Sequence, residues 1–264
     1  MKQRTEFMRD AYDFSPAKRV AAQERAPLGY LAARRVVELG RTAFFDAHRL
    51  DIPVADAAEI AADDLLPQFG FVGERYDERR VLFLGINPGN GTRAQRNAGD
   101  ARTMPALEAF VKNPSAKNFL VAQQAYRTVC EQWRMWGHEC SELLRRTNLS
   151  LDEVAFTNAL PWRTATTSSF HKSVSQKAAM HYVRPYLGSL RPRILVAVGK
   201  KANECLGFIN GQSARVVVWN RGRAATKSVI AEREAAVSAL LALLAPPHGQ
   251  APPGSSSSLH RPVR

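Results

Sequence analysis

Four short apolar runs separated by stretches of helical spacing set the plan of this chain. Val81-Leu82-Phe83-Leu84 leads into the turn Gly85-Ile86-Asn87-Pro88-Gly89, and the others lie within Asp152 to Asn158, Arg193 to Gly199 and Arg215 to Asn220. Runs of this length without polar alternation predict strands covered on both faces. Between and after them, helical patterns occupy about Pro105 to Val111, Asn118 to Trp136, Ser141 to Arg146, Ser175 to Leu190, Lys201 to Leu206 and Ser228 to Leu244. Pro185 is expected to kink the fourth of these or to mark its first turn. A polar loop is expected from Asn90 to Arg102. Strands alternating with helices predict an α/β fold: a three-layer α/β/α domain with a central, mostly parallel four-stranded sheet.

Residues 1–79 read differently. Leu31, Ala32, Val36, Leu39 and Phe44 fall near helical spacing, Ser15-Pro16 is a candidate N-cap and N1 pair, and Asp51-Ile52-Pro53 separates a second, more acidic helix. This predicts an N-terminal helical extension packed on an α/β domain spanning 80–244. The tail 245–264, with Pro-Pro twice and four consecutive serines, is expected to be disordered. No apolar run reaches the length of a membrane span, and the first residues lack the apolar core of a secretory signal, so a cytoplasmic monomer is expected.

Charge changes the picture. The chain carries a formal net charge of +13, which points to a polyanionic partner. Between Val154 and Ile230 there are twelve Lys or Arg and one acid, Glu204, whereas residues 1–79 hold fourteen of the 24 acids. The basic field therefore belongs to the second half, where phosphate contacts to DNA would form. Cys130, Cys140 and Cys205 lack the paired spacing of a metal site or a disulfide framework and read as buried thiols, so no metal and no cofactor is expected.

In a parallel sheet the carboxyl ends of the strands collect on one edge, where ligands bind. Here that edge would gather Asn87, Asn158, Gly199-Lys200 and Asn220. An amide offers a donor and an acceptor together, as pairing to a nucleobase edge requires. Asparagine is also common where strands turn, because it caps helices and tolerates left-handed backbone. The glycine-rich stretch Gly85 to Gly91 lacks the following Lys-Ser/Thr of a nucleotide-binding phosphate loop.

Gly85-Ile86-Asn87-Pro88-Gly89 resembles the first motif of the uracil-DNA glycosylase superfamily, in the form carried by its mismatch-specific uracil/thymine branch. Phe156 to Arg163 is similar to the strand-end motif whose asparagine reads the pyrimidine, and Arg184 to Gly199 to the helix, proline and strand before the last motif in the bacterial iron-sulfur branch. The resemblance covers about Arg80 to Leu244. Of the last motif, Trp219-Asn220-Arg221-Gly222-Arg223 keeps only the asparagine, and the four cluster cysteines of the iron-sulfur branch are absent.

The resemblance implies a DNA glycosylase. A nucleotide turned out of the stack would enter a pocket at the sheet edge, bounded by Gly85, Ile86, Pro88 and Gly89. Asn158 would pair with the base, Asn87 would hold a water near the sugar C1′, and Asn220 would donate to the base O2. Arg163, Lys200, Arg221, Arg223 and Lys227 would meet phosphates, and Phe110 and Phe119 are candidates for the ring that stacks on the base. The alternative is a nucleic-acid-binding module of the same fold that leaves the glycosidic bond intact.

Overall fold

The computed structural model describes residues 26–40, 66–86, 88, 93–130, 140–162, 172–221 and 226–245. At its centre are β1 (Phe71–Val72), β2 (Val81–Gly85), β3 (Val154–Asn158), β4 (Ile194–Val198) and β5 (Arg215–Trp219), in the spatial order β1-β3-β2-β4-β5. β2 to β5 pair in parallel, and β1 alone is antiparallel, with Phe71 opposite Phe156 and Val72 opposite Ala155.

The sheet thus has five strands where four were expected, and the fifth lies before residue 80, inside the stretch assigned to the helical extension. Two residues are too few to show any periodicity. What lets them pair is Gly70, whose φ of 77° is left-handed and whose Cβ, if present, would fall 1.9 Å from the Phe156 carbonyl oxygen. Only glycine allows so close an approach.

The three-layer α/β/α arrangement follows from β2, β3 and β4, which are buried on both faces, whereas the edge strand β5 leaves Val216 and Val218 exposed. Side chains alternate across a strand, so Leu82, Leu84, Ala155, Leu195 and Ala197 enter one core layer. Val81, Phe83, Val154, Phe156, Ile194, Val196 and Val217 enter the other.

Over the first layer pack α1 (Tyr30–Leu39), α3 (Arg93–Lys112), the helical segment α6 (Lys172–Ala178) to α7 (Arg184–Leu190), and α8 (Lys200–Leu206). Over the second pack α5 (Ser141–Arg146) and α9 (Lys227–Leu244). Helix α4 (Ala116–Cys130) serves both: Phe119 and Ala122 lie in the first layer, Tyr126 and Cys130 in the second. The four-residue α2 (Tyr76–Arg79) leads into β2.

Of the expected N-terminal helices, Tyr30–Leu39 is described. Ala32, Ala33 and Val36 bury against the same layer as Leu82 and Leu84, so α1 is part of the main core. Ser15, Pro16, Phe44 and the second acidic pattern lie outside the described residues, as does the tail beyond Ala245.

One further expectation, the polar loop, changes, and the first-turn place expected for Pro185 holds. The polar loop to Arg102 is helical from Arg93, and α3 continues through Pro105. Burial of Met104, Leu107 and Phe110 on one face sustains the helix across the missing amide donor. Between α6 and α7, Ala179–Val183 form a π-helical turn and Pro185 stands in the first turn of α7. Widening the helix just before a proline accommodates the ring and the donor it lacks. Among the described residues no helix is long and apolar enough to cross a membrane.

Candidate functional site

The chain connects β2 to β3 on one side and β4 to β5 on the other, so the strand order reverses between β2 and β4. A crevice opens at such a reversal outside the carboxyl ends of the strands. Here the reversal lies between the carboxyl ends of β2, at Gly85, and β4, at Val198, which Gly199-Lys200 follow.

β2 and β3 stay tied beyond their last residues. Ala159 N donates to Gly85 O and Leu160 N to Ile86 O, both at 2.9 Å. Ile86 and Pro88 are buried at the end of β2, while Asn87 and Gly89 lie outside the described residues. Gly85 stands in register with Asn158. A Cβ on Gly85 would sit 2.6 Å from Asn158 Oδ1 and 3.3 Å from the Phe156 ring. Glycine at 85 is thus what allows the amide to lie flat against β2.

Asn158 is 4% exposed, and its Nδ2 has no hydrogen-bond partner among the described residues. A buried amide donor left unpaired costs about 1–3 kcal/mol. The fold holds this donor at the carboxyl end of a central strand, beside Gly85, with no acceptor among the described residues.

Asn220 is placed differently. It follows β5, which is separated from β3 by β2 and β4. Three strand spacings separate the two strand ends by about 14 Å. Its Nδ2 donates to Glu232 Oε2 at 2.5 Å, Ser228 Oγ donates to Glu232 Oε1 at 3.0 Å, and Arg233 Nε donates to Asn220 O at 3.0 Å. The Arg233 guanidinium lies 5.2 Å from the centre of the Trp219 ring. The Asn220 amide, then the Ser228 hydroxyl, hold the Glu232 carboxyl below the ordinary carboxylate range. Asn220 therefore fastens α9 to the end of β5, and the expected set of three amides reduces to Asn158, in β3, and Asn87, which follows β2 in sequence. Sequence reasoning missed this because Glu232 is on another element, twelve residues further on.

The electrostatics of this edge have a feature that sequence reading passed over. Helices antiparallel to the strands turn their amino ends toward it, and those ends carry partial positive charge that favours acids. Yet α6, α8 and α9 begin with Lys172, Lys200 and Lys227, and none has an acid in its first turn. Lysine there opposes the helix dipole and makes the edge more positive, which suits a polyanion. All three are exposed. Arg221, also exposed, lays its side chain over Gly199, whose φ is 94° and whose Cβ would meet Arg221 Cδ at 3.5 Å. Arg163 and Arg223 lie outside the described residues.

Phe110 and Phe119 are fully buried and pack on each other, with ring centres 5.5 Å apart, and on Phe69 and Tyr30. They are core and cannot stack on an incoming base. The three cysteines are buried thiols, none of them in a disulfide. Burial pushes the Cys205 thiol up to about 11, which keeps it neutral and unreactive. Among the described residues, no group of three His, Cys, Asp or Glu side chains could hold a metal ion. No protein-family model and no curated protein matches the chain.

Proposed function

We propose that this protein binds DNA and hydrolyses the N-glycosidic bond of a uracil, or of another damaged or mismatched base, in the manner of a uracil-DNA glycosylase. The observation that carries the reading is the buried, unpaired Asn158 amide at the carboxyl end of β3, against Gly85 of the first motif. A donor kept without a protein acceptor in a dry position is fitted to an acceptor on a ligand, and a pyrimidine carbonyl supplies one.

The nucleotide must leave the stack to reach it. Asn158 then orients the base, while water held on the Asn87 side attacks C1′. The C1′–N bond breaks and its electron pair leaves with the base, while the water oxygen stays on the sugar and its proton passes through solvent to the base anion. Amides are poor bases, so rate enhancement comes from positioning and from stabilising the sugar cation and the departing base anion. Lys172, Lys200, Arg221 and Lys227 supply the field that holds the phosphates.

Asn220 favours a second reading. Its amide is engaged with Glu232, so the last motif brings no donor to the base, as in a binding module that leaves the bond intact. Incubation with single-stranded and duplex oligonucleotides carrying uracil, hypoxanthine, xanthine, or G·U and G·T mismatches, followed by alkaline cleavage of abasic sites, separates the two. Cut product supports the glycosylase. DNA binding with no cut product at any protein concentration overturns it in favour of the module.

A further inference from the structure

β5 ends the sheet on one side, and among the described residues β4 is its only strand neighbour. Arg215 N donates to Arg193 O at 3.0 Å and Gly199 N to Trp219 O at 2.9 Å, so residues 215, 217 and 219 turn their backbone groups toward β4. The alternate residues, Val216 and Val218, turn N–H and C=O outward from the sheet. A free edge of this kind is a template for another strand, and proteins blunt it with lysine, proline, a bulge or a covering element. β5, Arg-Val-Val-Val-Trp, has neither lysine nor proline and keeps an unbroken register with β4. Val216 and Val218 also expose their side chains, at 38% and 39%.

The other face of β5 is covered by α9, over Val217 and Trp219. Glu234 of α9 pairs with Arg146 on α5, which turns that flank of the helix toward the middle of the sheet. Ser228, Glu232, Ala235 and Ala239 share the opposite flank at helical spacing. All four are exposed, and this flank looks past β5. Its alanines leave room for a second helix, whose axis must come within about 8–10 Å to pack. Arg215 is exposed at the same edge and makes no ion pair among the described residues.

We propose that two copies of this chain meet at β5, in a two-fold dimer with one continuous sheet, in place of the monomer expected from the sequence. An axis beside Val217 sets Val216 opposite Val218 of the partner subunit. The two Val216–Val218 pairs then exchange two N–H···O bonds each, and the four valines form one apolar strip on the face away from α9. On the α9 face Arg215 comes opposite the partner's Trp219 and beside the partner's Glu232, and the two-fold repeats that ion pair. Arg233, which bonds Asn220 O and faces the Trp219 ring, and Lys227 stand at the same corner. The corner therefore stays net positive, and the exposed pairs set register more than they add energy, about 0–1 kcal/mol each.

Neighbouring registers fit worse. An axis beside Val218 asks Asn220 O, already bonded to Arg233, to pair with Val216 of the partner subunit. An axis beside Val216 leaves Arg215 two residues, about 7 Å, short of the Glu232 end. Because the paired strands are antiparallel, the carboxyl edges of the two sheets, each with its Asn158, open in opposite directions. The proposal does not rest on base excision.

Sedimentation velocity of the full chain without DNA reads the association. Wild type is expected to pass from monomer to dimer as its concentration rises through the micromolar range. Each copy carries a formal net charge of +13, so salt, which screens the repulsion, is expected to strengthen the dimer, the reverse of DNA binding. Val216→Lys/Val218→Lys is expected to stay monomeric; both side chains are exposed, and an unchanged circular dichroism spectrum confirms the fold. Oxidation reads the register. A mixture of Val216→Cys and Val218→Cys chains sets new thiols on a hydrogen-bonded pair with Cα atoms about 5.5 Å apart, within disulfide reach. Either variant alone holds its new thiols two residues out of step, so the mixture is expected to give a covalent dimer and the single variants little. Wild type monomeric at every concentration, an undiminished dimer in the lysine variant, or a mixture that cross-links no better than the single variants overturns the proposal. Slow amide exchange at Val216 and Val218 in a dilute monomeric sample also overturns it, since another segment of the chain then covers the edge. Each of these results leaves the alkaline-cleavage outcome, and so the proposed function, where it stands.

Discussion

Gly85 and Asn158 face each other in the register of two parallel strands, and a β-carbon on Gly85 would fall 2.6 Å from Asn158 Oδ1. Gly85→Ala must therefore move the amide or the Phe156 ring. Overpacking of this kind costs about 1–3 kcal/mol. The variant is expected to fold with a lowered denaturation midpoint and to lose base excision far beyond that loss of stability. Equal excision rates in variant and wild type would mean that the Asn158 amide can shift without consequence.

Gly70→Ala tests the fifth strand. Its Cβ would meet the Phe156 carbonyl oxygen at 1.9 Å in a left-handed backbone, so β1 cannot keep its pairing. Thr157 Oγ1, which donates to Phe69 O at 3.3 Å, loses that partner as well. Denaturant unfolding should show a loss of about 3 kcal/mol or more.

Most of the sheet is legible in the sequence. β2, β3 and β4 announce themselves because burial on both faces demands unbroken apolar runs, and the parallel pairing follows from the helices between them; β5 carries such a run too, but it is the edge strand and its Val216 and Val218 are exposed, against the expectation of cover on both faces. β1 does not, since two residues carry no period and their place depends on Gly70. The first turns of α3 read as loop because Arg93 to Arg102 are polar. Asn158 can be singled out at a strand end. That its donor is unpaired, and that Gly85 makes room for it, depends on a register between strands about seventy residues apart. Asn220 looks equivalent to Asn158 because sequence shows that a strand ends there, not which strand neighbours it.

Acid stability should depend on Glu153. The Ser150 backbone amide first, then the Ser150 hydroxyl, Arg75 and Arg79 hold its carboxyl below the ordinary range, against the opposing effect of burial. Ser150 N and Oγ each lie 2.9 Å from Glu153 Oε2. A folded-state pKa below the unfolded one gives stability that is present above the ordinary carboxylate range and is lost as pH falls through the folded value. Glu153→Gln is expected to flatten that acid limb in thermal melts from neutral pH downward; an unchanged limb would show that other carboxylates govern it.

Asn220→Ala separates fastening from catalysis. Removing an exposed amide bonded to a carboxylate is expected to cost about 1 kcal/mol, with the Arg233 bond to the main chain retained. Under single-turnover conditions the excision rate should match wild type. A large loss of rate with an unchanged melting temperature would return Asn220 to the catalytic set.

The central claim is that Asn158 Nδ2 meets an acceptor on the base. Asn158→Asp replaces that donor with an acceptor of nearly the same shape, suited to the C4 amino group of cytosine instead of the C4 carbonyl of uracil. The deciding measurement is single-turnover excision from matched oligonucleotides carrying one uracil or one cytosine in an unpaired position. The prediction is a fall of about 10²–10³-fold on uracil, with the ratio of cytosine to uracil rates raised above wild type. Uracil excision by Asn158→Asp at the wild-type rate would contradict it.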